Sequence, residues 1–171
     1  VPRVIGEVGS KDPKVRESFT FFGVFQGRFR LRTGAPKYRS ATAVIVIAMD
    51  LETKKLVAIK FFTDRLQWTR DKNARSKYKL DAHLVVASIL DKDNIDPSDS
   101  RLARLRSFLP DKVQLGSDII VMPAAARSWL DICQVGRPGL DQTRTIVREV
   151  IEGIVHMHTQ GLVHADLKVR A

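Results

Sequence analysis

The sequence predicts an α+β fold, in which a strand-rich lobe is followed by the opening of a helical lobe. Three observations carry this. Ala41 to Met49 is a continuous apolar, β-branched run, and the polar turn Asp50 to Lys55 separates it from a second apolar segment, Leu56 to Phe62. That is the pattern of a β-hairpin. Ile119-Ile120-Val121-Met122 reads as a short buried strand that Pro123 stops. Farther on, Val147, Val150, Ile151, Ile154 and Met157 recur at helical spacing and form one apolar stripe. Strands grouped first and helix later is the order of an α+β chain.

The remaining elements follow from the N-terminus. Residues 1–18 are polar, carry Gly, Pro and Ser, and read as a loose leader. From Phe19 to Arg32 the chain alternates, with Phe29 and Leu31 facing one way and Arg28, Arg30 and Arg32 the other, so one strand with a wet face is expected. Thr33-Gly34-Ala35-Pro36 breaks it. Ala41 to Met49 should be buried on both faces. Between Leu66 and Leu90 the period changes. Leu80, Leu84, Ala87 and Asp91 share a stripe, which places an amphipathic helix in the later half of that stretch. Asp91 to Ser100, rich in Asp, Asn, Pro and Ser, reads as a loop. The last helix runs from about Asp141, its expected N-cap, to Gln160, with Gly161 as the left-handed residue that closes it and Leu162 as the hydrophobic partner.

Composition limits the function classes. The 171 residues hold 29 Lys+Arg against 19 Asp+Glu, a formal net charge of +10. Residues 1–85 carry 18 basic and 8 acidic side chains and the rest carry 11 of each, so the whole excess lies in the first half. Such a field attracts anionic partners, although a solvated basic face is its ordinary meaning. Phe29 and Tyr38 do not make a stacking platform, so nucleic acid is not the expected partner. The longest apolar run, Ala43 to Met49, is far short of the ~20 residues of a membrane span. A lone Cys133 excludes an internal disulfide framework and fits a reducing compartment. There is no secretory signal pattern. An intracellular, cytoplasmic protein without a membrane partner is expected. The chain does not begin with Met and reads as an excerpt of a longer one.

Two constellations carry chemistry. In Val57-Ala58-Ile59-Lys60 a lysine interrupts an apolar strand. A buried unpaired ammonium is costly, so Lys60 either snorkels to water or faces a cleft where an anion meets it. Gly161-Leu-Val-His-Ala-Asp166-Leu-Lys168 follows the last helix directly. Its Asp can orient an attacking hydroxyl and its Lys can neutralise charge on a transferred phosphoryl group. The plainer meaning is a polar loop that closes a helix.

Taken together, in this order and on these elements, the motifs resemble the eukaryotic-type protein kinases. The stretches AMDLETKKLVAIKFF and HMHTQGLVHADLK are especially similar to that family's wording. The resemblance covers about residues 38 to 171 and implies a truncated bilobal kinase-like fold. Residues 1–37 would be a basic, partly flexible extension, 38–121 the small lobe, and 122–171 the hinge and the start of the large lobe. It further implies that Lys60 holds the α- and β-phosphates of ATP. Ile45 takes the place of the valine after the glycine-rich loop, Ala58 lines the adenine pocket and Met122 stands at the gatekeeper. Pro123, Ala124 and Ala125 would be the hinge that receives the adenine edge. Asp166 would be the catalytic-loop carboxylate and Lys168 its companion in serine/threonine kinases, whereas His164 would pack.

Four places depart from the family pattern. Tyr38, Ser40 and Ala43 stand where three loop glycines belong. Counting back from Asn94-Ile95 puts His83 where the glutamate partner of the strand lysine belongs, with Asp81 the nearest acid. Ala165 replaces the arginine between His and Asp. Ala171, the last residue, stands where an asparagine that binds Mg2+ belongs, so no metal ligand is assigned and the chain alone is not expected to turn over efficiently. The expected function of the intact protein is transfer of the γ-phosphate of ATP, with Mg2+, to protein hydroxyls. The alternatives are a pseudokinase scaffold that binds nucleotide and a small-molecule phosphotransferase.

Overall fold

The computed structural model describes residues 21–32, 36–82, 84, 86, 88–109, 113–125 and 129–164. Its centre is a seven-stranded sheet of β1 (Phe21–Phe25), β2 (Phe29–Arg32), β3 (Tyr38–Arg39), β4 (Ala43–Asp50), β5 (Leu56–Phe62), β6 (Leu90–Lys92) and β7 (Ile119–Pro123). The order is β1-β2-β4-β5-β7-β6, and β3 also pairs with β4. All neighbours are antiparallel. The helices are α1 (Arg65–Lys77), α2 (Ala103–Arg106), α3 (Trp129–Asp131) and α4 (Leu140–Thr159).

The pleat sorts the side chains onto two faces. Val44, Val46 and Ala48 of β4 lie opposite Phe61, Ile59 and Val57 of β5, and Ile119 and Val121 of β7 continue the rows. With Phe25, Phe29 and Leu31 they form the main core, which Ile95, Leu102, Leu105 and Leu115 close from outside. The other face carries Ile45 and Ile47, then Ala58, Lys60 and Phe62, then Ile120 and Met122. Here α1 packs, and Trp68 joins Phe62 and Ile120 in a second, smaller cluster. Ala41 to Met49 is therefore not buried equally on both sides. Val44, Val46 and Ala48 are sealed, while Ile45, Ile47 and Met49 are half-buried.

The single strand expected over Phe19 to Arg32 is a hairpin in its described part. Gln26 and Gly27 take left-handed backbone angles (φ 53° and 70°), and Phe25 pairs with Phe29 across the turn. The glycine makes the reversal possible at low cost. Arg28 then reaches back over the sheet. Its Nε donates to Asp50 Oδ1 at 2.9 Å and its Nη2 to Oδ2 at 2.7 Å. Thr53 Oγ1 and the Glu52 amide also donate to this carboxylate, which is fully buried at the end of β4. The Arg28 hydrogen bonds outweigh burial and hold the Asp50 carboxyl far below the usual carboxylate range. A carboxyl lowered by folding contributes stability that is complete above its unfolded pKa, about 3.9, and is lost as pH falls toward its folded value. Below about pH 4 the urea midpoint should therefore fall steeply in the wild type and less steeply in Asp50→Asn. Parallel acid profiles for the two proteins would contradict this role.

The helix expected in the later half of 66–90 lies instead in the earlier half. Asp64 caps α1 through Oδ1, which accepts the Leu66 amide at 2.9 Å, and Arg75 and Lys77 suit its C-terminal end. Tyr78 turns extended and ends it. The described residues from 80 to 89 are turns and irregular chain; His83 and Ala87 lie outside the described residues. The periodicity there loses to the sheet. The free edge of β7 needs backbone partners, and Leu90–Lys92, the start of the expected loop, supplies them as β6, with the Ile89 amide on the Val121 carbonyl at 2.7 Å.

The last helix forms as expected at its end. Gly161 is left-handed (φ 74°), and the Leu162 amide returns to the Met157 carbonyl at 2.9 Å. At its start Gly139, not Asp141, is the cap, and Asp141 sits in the first turn. Two contacts tie α4 to the segment after α1. A Cβ at Gly153 would come within 2.9 Å of the Leu84 carbonyl oxygen, so only glycine allows this approach. His156 Nε2 accepts the Asp81 amide at 2.9 Å. Val147, Val150, Ile151 and Val155 remain exposed.

Candidate nucleotide cleft

Lys60 lies on the α1-facing side of β5, between Ile45 of β4 and Ile120 of β7. Its Nζ donates to Asp71 Oδ2 at 2.7 Å and sits 4.6 Å from the centre of the Phe62 ring. The lysine is thus paired at the cleft face instead of snorkelling alone. His83 lies outside the described residues, and Asp81, exposed beside α4, is not its partner. The partner is Asp71, one turn beyond Trp68 on α1. Aspartate is a methylene shorter than glutamate, so the helix has to lie close to the sheet. Trp68 holds it there, buried against Phe62 and Ile120, with indole Nε1 donating to the Ile119 carbonyl at 3.2 Å. Arg75, a turn later, donates from Nε to Asp71 Oδ1 at 2.7 Å and from Nη1 to the Val86 carbonyl at 2.9 Å. Burial raises the Asp71 carboxyl, but the Lys60 hydrogen bond and the charges of Arg75 and Lys60 prevail, and it stays ionised below its ordinary range. A signal for Asp71 does exist in the chain: an Asp N-cap at 64 and an i,i+4 Asp71–Arg75 pair.

Next to this charged rung lies an apolar one. The register places Ile47, Ala58 and Met122 side by side, as it places Ile45, Lys60 and Ile120. Ile45, Ala58 and Met122, singled out in the sequence, therefore share one face, and Ile47 and Ile120 complete it. Alanine at 58 keeps the middle of the rung low. At the end of β7 the Ala124 amide donates to the Leu56 carbonyl at 3.3 Å and so closes the sheet. Ala125 is exposed, and its amide makes no hydrogen bond among the described residues.

The turn from β3 to β4 borders the charged rung, because Tyr38 pairs with Ile45. Ser40 Oγ accepts the amides of Thr42 at 3.2 Å and Ala43 at 3.1 Å. Thr63, just past β5, straps the same turn from outside. Its Oγ1 donates to the Ala41 carbonyl at 2.7 Å and its amide to that of Thr42 at 3.0 Å.

Behind the ion pair a cavity of about 510 Å3 opens between α1 and α4, lined by Asp71, Arg75, Leu84, Ile154, Met157 and His164 among others. It does not reach Ile45, Ala58, Lys60 or Met122. Asp166 and Lys168 lie outside the described residues. Among the described residues no group of three or more His, Cys, Asp or Glu gathers to hold a metal ion, and no helix is long and apolar enough to cross a membrane.

No family model matches the chain, and no curated protein matches it in sequence. Among solved structures it is similar to the crystal structure of Rad53 1-466 in complex with AMP-PNP, with a TM-score of 0.56 at 19% identity. The match covers 84% of this chain and 33% of that one. This is a protein-kinase-like fold. The chain spans about a third of the Rad53 chain, and identity this low carries the fold alone. Within the kinase-like fold, the antiparallel sheet with α1 against it makes up the strand-rich part, and α4 belongs to the helical part that follows β7.

Proposed function

We propose that this chain is the nucleotide-binding part of a protein serine/threonine kinase, with 38–121 as its small lobe and 122–171 as its hinge and the start of its large lobe. The intact enzyme transfers the γ-phosphate of ATP to a protein hydroxyl. The observation that carries this is the Lys60–Asp71 pair, set on the same sheet face as Ile45, Ala58 and Met122. An apolar rung suits the flat face of a purine, and a fixed ammonium one rung away suits its phosphates. Asp71 keeps Lys60 aimed across the face. The exposed Ala125 amide, which makes no hydrogen bond among the described residues, is the donor for the purine edge. Asp166 accepts the proton of the attacking hydroxyl, and Lys168 neutralises charge on the transferred group. ATP supplies both the phosphoryl group and the leaving group.

Lys60→Met tests this assignment, because methionine keeps the length and apolar packing of the stem and removes the charge. In the full-length protein, kinase activity should fall by about tenfold or more, while the melting temperature stays close to that of the wild type. Unchanged kinase activity would refute the role of Lys60. The Ser40 turn favours a second reading, a module that keeps the fold and binds nucleotide with little turnover.

A further inference from the structure

We infer that the β3–β4 turn is closed to phosphate by Ser40, so that the cleft recognises the nucleoside part of its ligand and gains little from the phosphates. The inference rests on the nucleotide reading above and narrows it. A loop that cradles a phosphate offers unpaired backbone amides to the anion. Here two amides of the turn, those of Thr42 and Ala43, already donate to Ser40 Oγ at 3.2 and 3.1 Å. The hydroxyl oxygen holds the place that an anion's oxygen would need. The Ser40 amide is also committed, to the Ala43 carbonyl at 2.9 Å.

The turn cannot readily reshape to release them. Its carbonyls at Ala41 and Thr42 are bound by Thr63 at 2.7 and 3.0 Å, which pins it to the end of β5. On its other flank, Arg39 Nη1 is engaged by the Phe108 carbonyl at 3.3 Å. On the described sheet face the cation is Lys60, and Asp71 already shares its charge at 2.7 Å. The base-binding rung is untouched by any of this. Recognition is thereby split: the nucleoside side is formed, and the phosphate side is occupied by the protein's own hydroxyl.

Calorimetry with adenosine and with ATP on the full-length protein, on Ser40→Gly and on Ser40→Ala tests the inference. In the wild type the two dissociation constants should agree within about threefold. Both substitutions remove Oγ and free two donors, so ATP should tighten by about tenfold while adenosine stays unchanged. Wild-type ATP binding tenfold or more tighter than adenosine would overturn the inference and leave the nucleotide reading standing. A gain in Ser40→Gly without one in Ser40→Ala would also overturn it, since backbone freedom and not the hydroxyl would then be the cause. Binding of neither ligand would defeat the nucleotide reading, and this inference with it.

Discussion

Truncating Phe61 to alanine should remove about 3–5 kcal/mol of stability, a large share of the 5–15 kcal/mol that holds a domain together. Phe61 is fully buried in the middle strand of the main core. Its ring lies 5.5 Å from that of Phe25 at an angle of 54°, and its cross-strand neighbours are Val44 and Ile119. Three neighbouring strands, β1, β4 and β7, therefore border the cavity that alanine would leave, and a sheet held on both sides by ladders collapses little to fill it. The cost should appear as a lower urea midpoint at unchanged slope. Ile45→Ala, one strand over on the opposite face, is half-exposed and should cost much less. Equal losses for the two variants would mean that the core is not on the side assigned to it.

In the full-length protein, Asp166→Asn should cut phosphoryl transfer by a factor of ~10² to 10⁴, the usual share of a general base. Asparagine keeps the shape and the hydrogen-bonding reach and loses the basicity. The Asp166 carboxylate is assigned to the attacking hydroxyl and not to the purine, so ATP affinity should stay the same. The contrasting reading, a fold with little turnover, expects no activity to lose and identical binding before and after. Robust and equal turnover in the wild type and Asp166→Asn would defeat the proposed mechanism.

The centre of the sheet is readable in the sequence because β4 and β5 are strongly patterned and joined by an unmistakable polar turn. The same holds for the end of α4, where glycine at 161 closes the helix without strain. The parts that are hard to read depend on pairing between distant residues. Nothing local in Leu90-Asp91-Lys92 marks a strand; it becomes one because β7 has an open edge. The alternation of residues 29–32 is plain, but the reversal at Gln26-Gly27 rests on one glycine inside an otherwise strand-like run. Asp71 escapes notice because the stripe of Leu80, Leu84 and Ala87 draws the expected helix too far along the chain. With α1 misplaced, the partner of Lys60 is expected about ten residues too late. Of the residues expected at the site, Ile45, Ala58, Lys60 and Met122 share a face, Ala124 is committed to the sheet, and Asp166 and Lys168 are outside the described residues.

The alternation along β5 has one more consequence, for how this lobe can vary. Ile59 belongs to the core and Lys60 to the cleft, though they are adjacent in the chain. Removing one residue between Leu56 and Lys60 would rotate the lysine into the main core, where an unpaired ammonium is intolerable. Removing two would restore the face but shift Lys60 by about 7 Å along the strand, out of reach of Asp71. Strand β5 is therefore fixed both in parity and in length, by demands from opposite sides of the sheet. Insertions and deletions should be tolerated in the Asp50–Lys55 turn and excluded from the strand that follows it, whatever substitutions either one accepts.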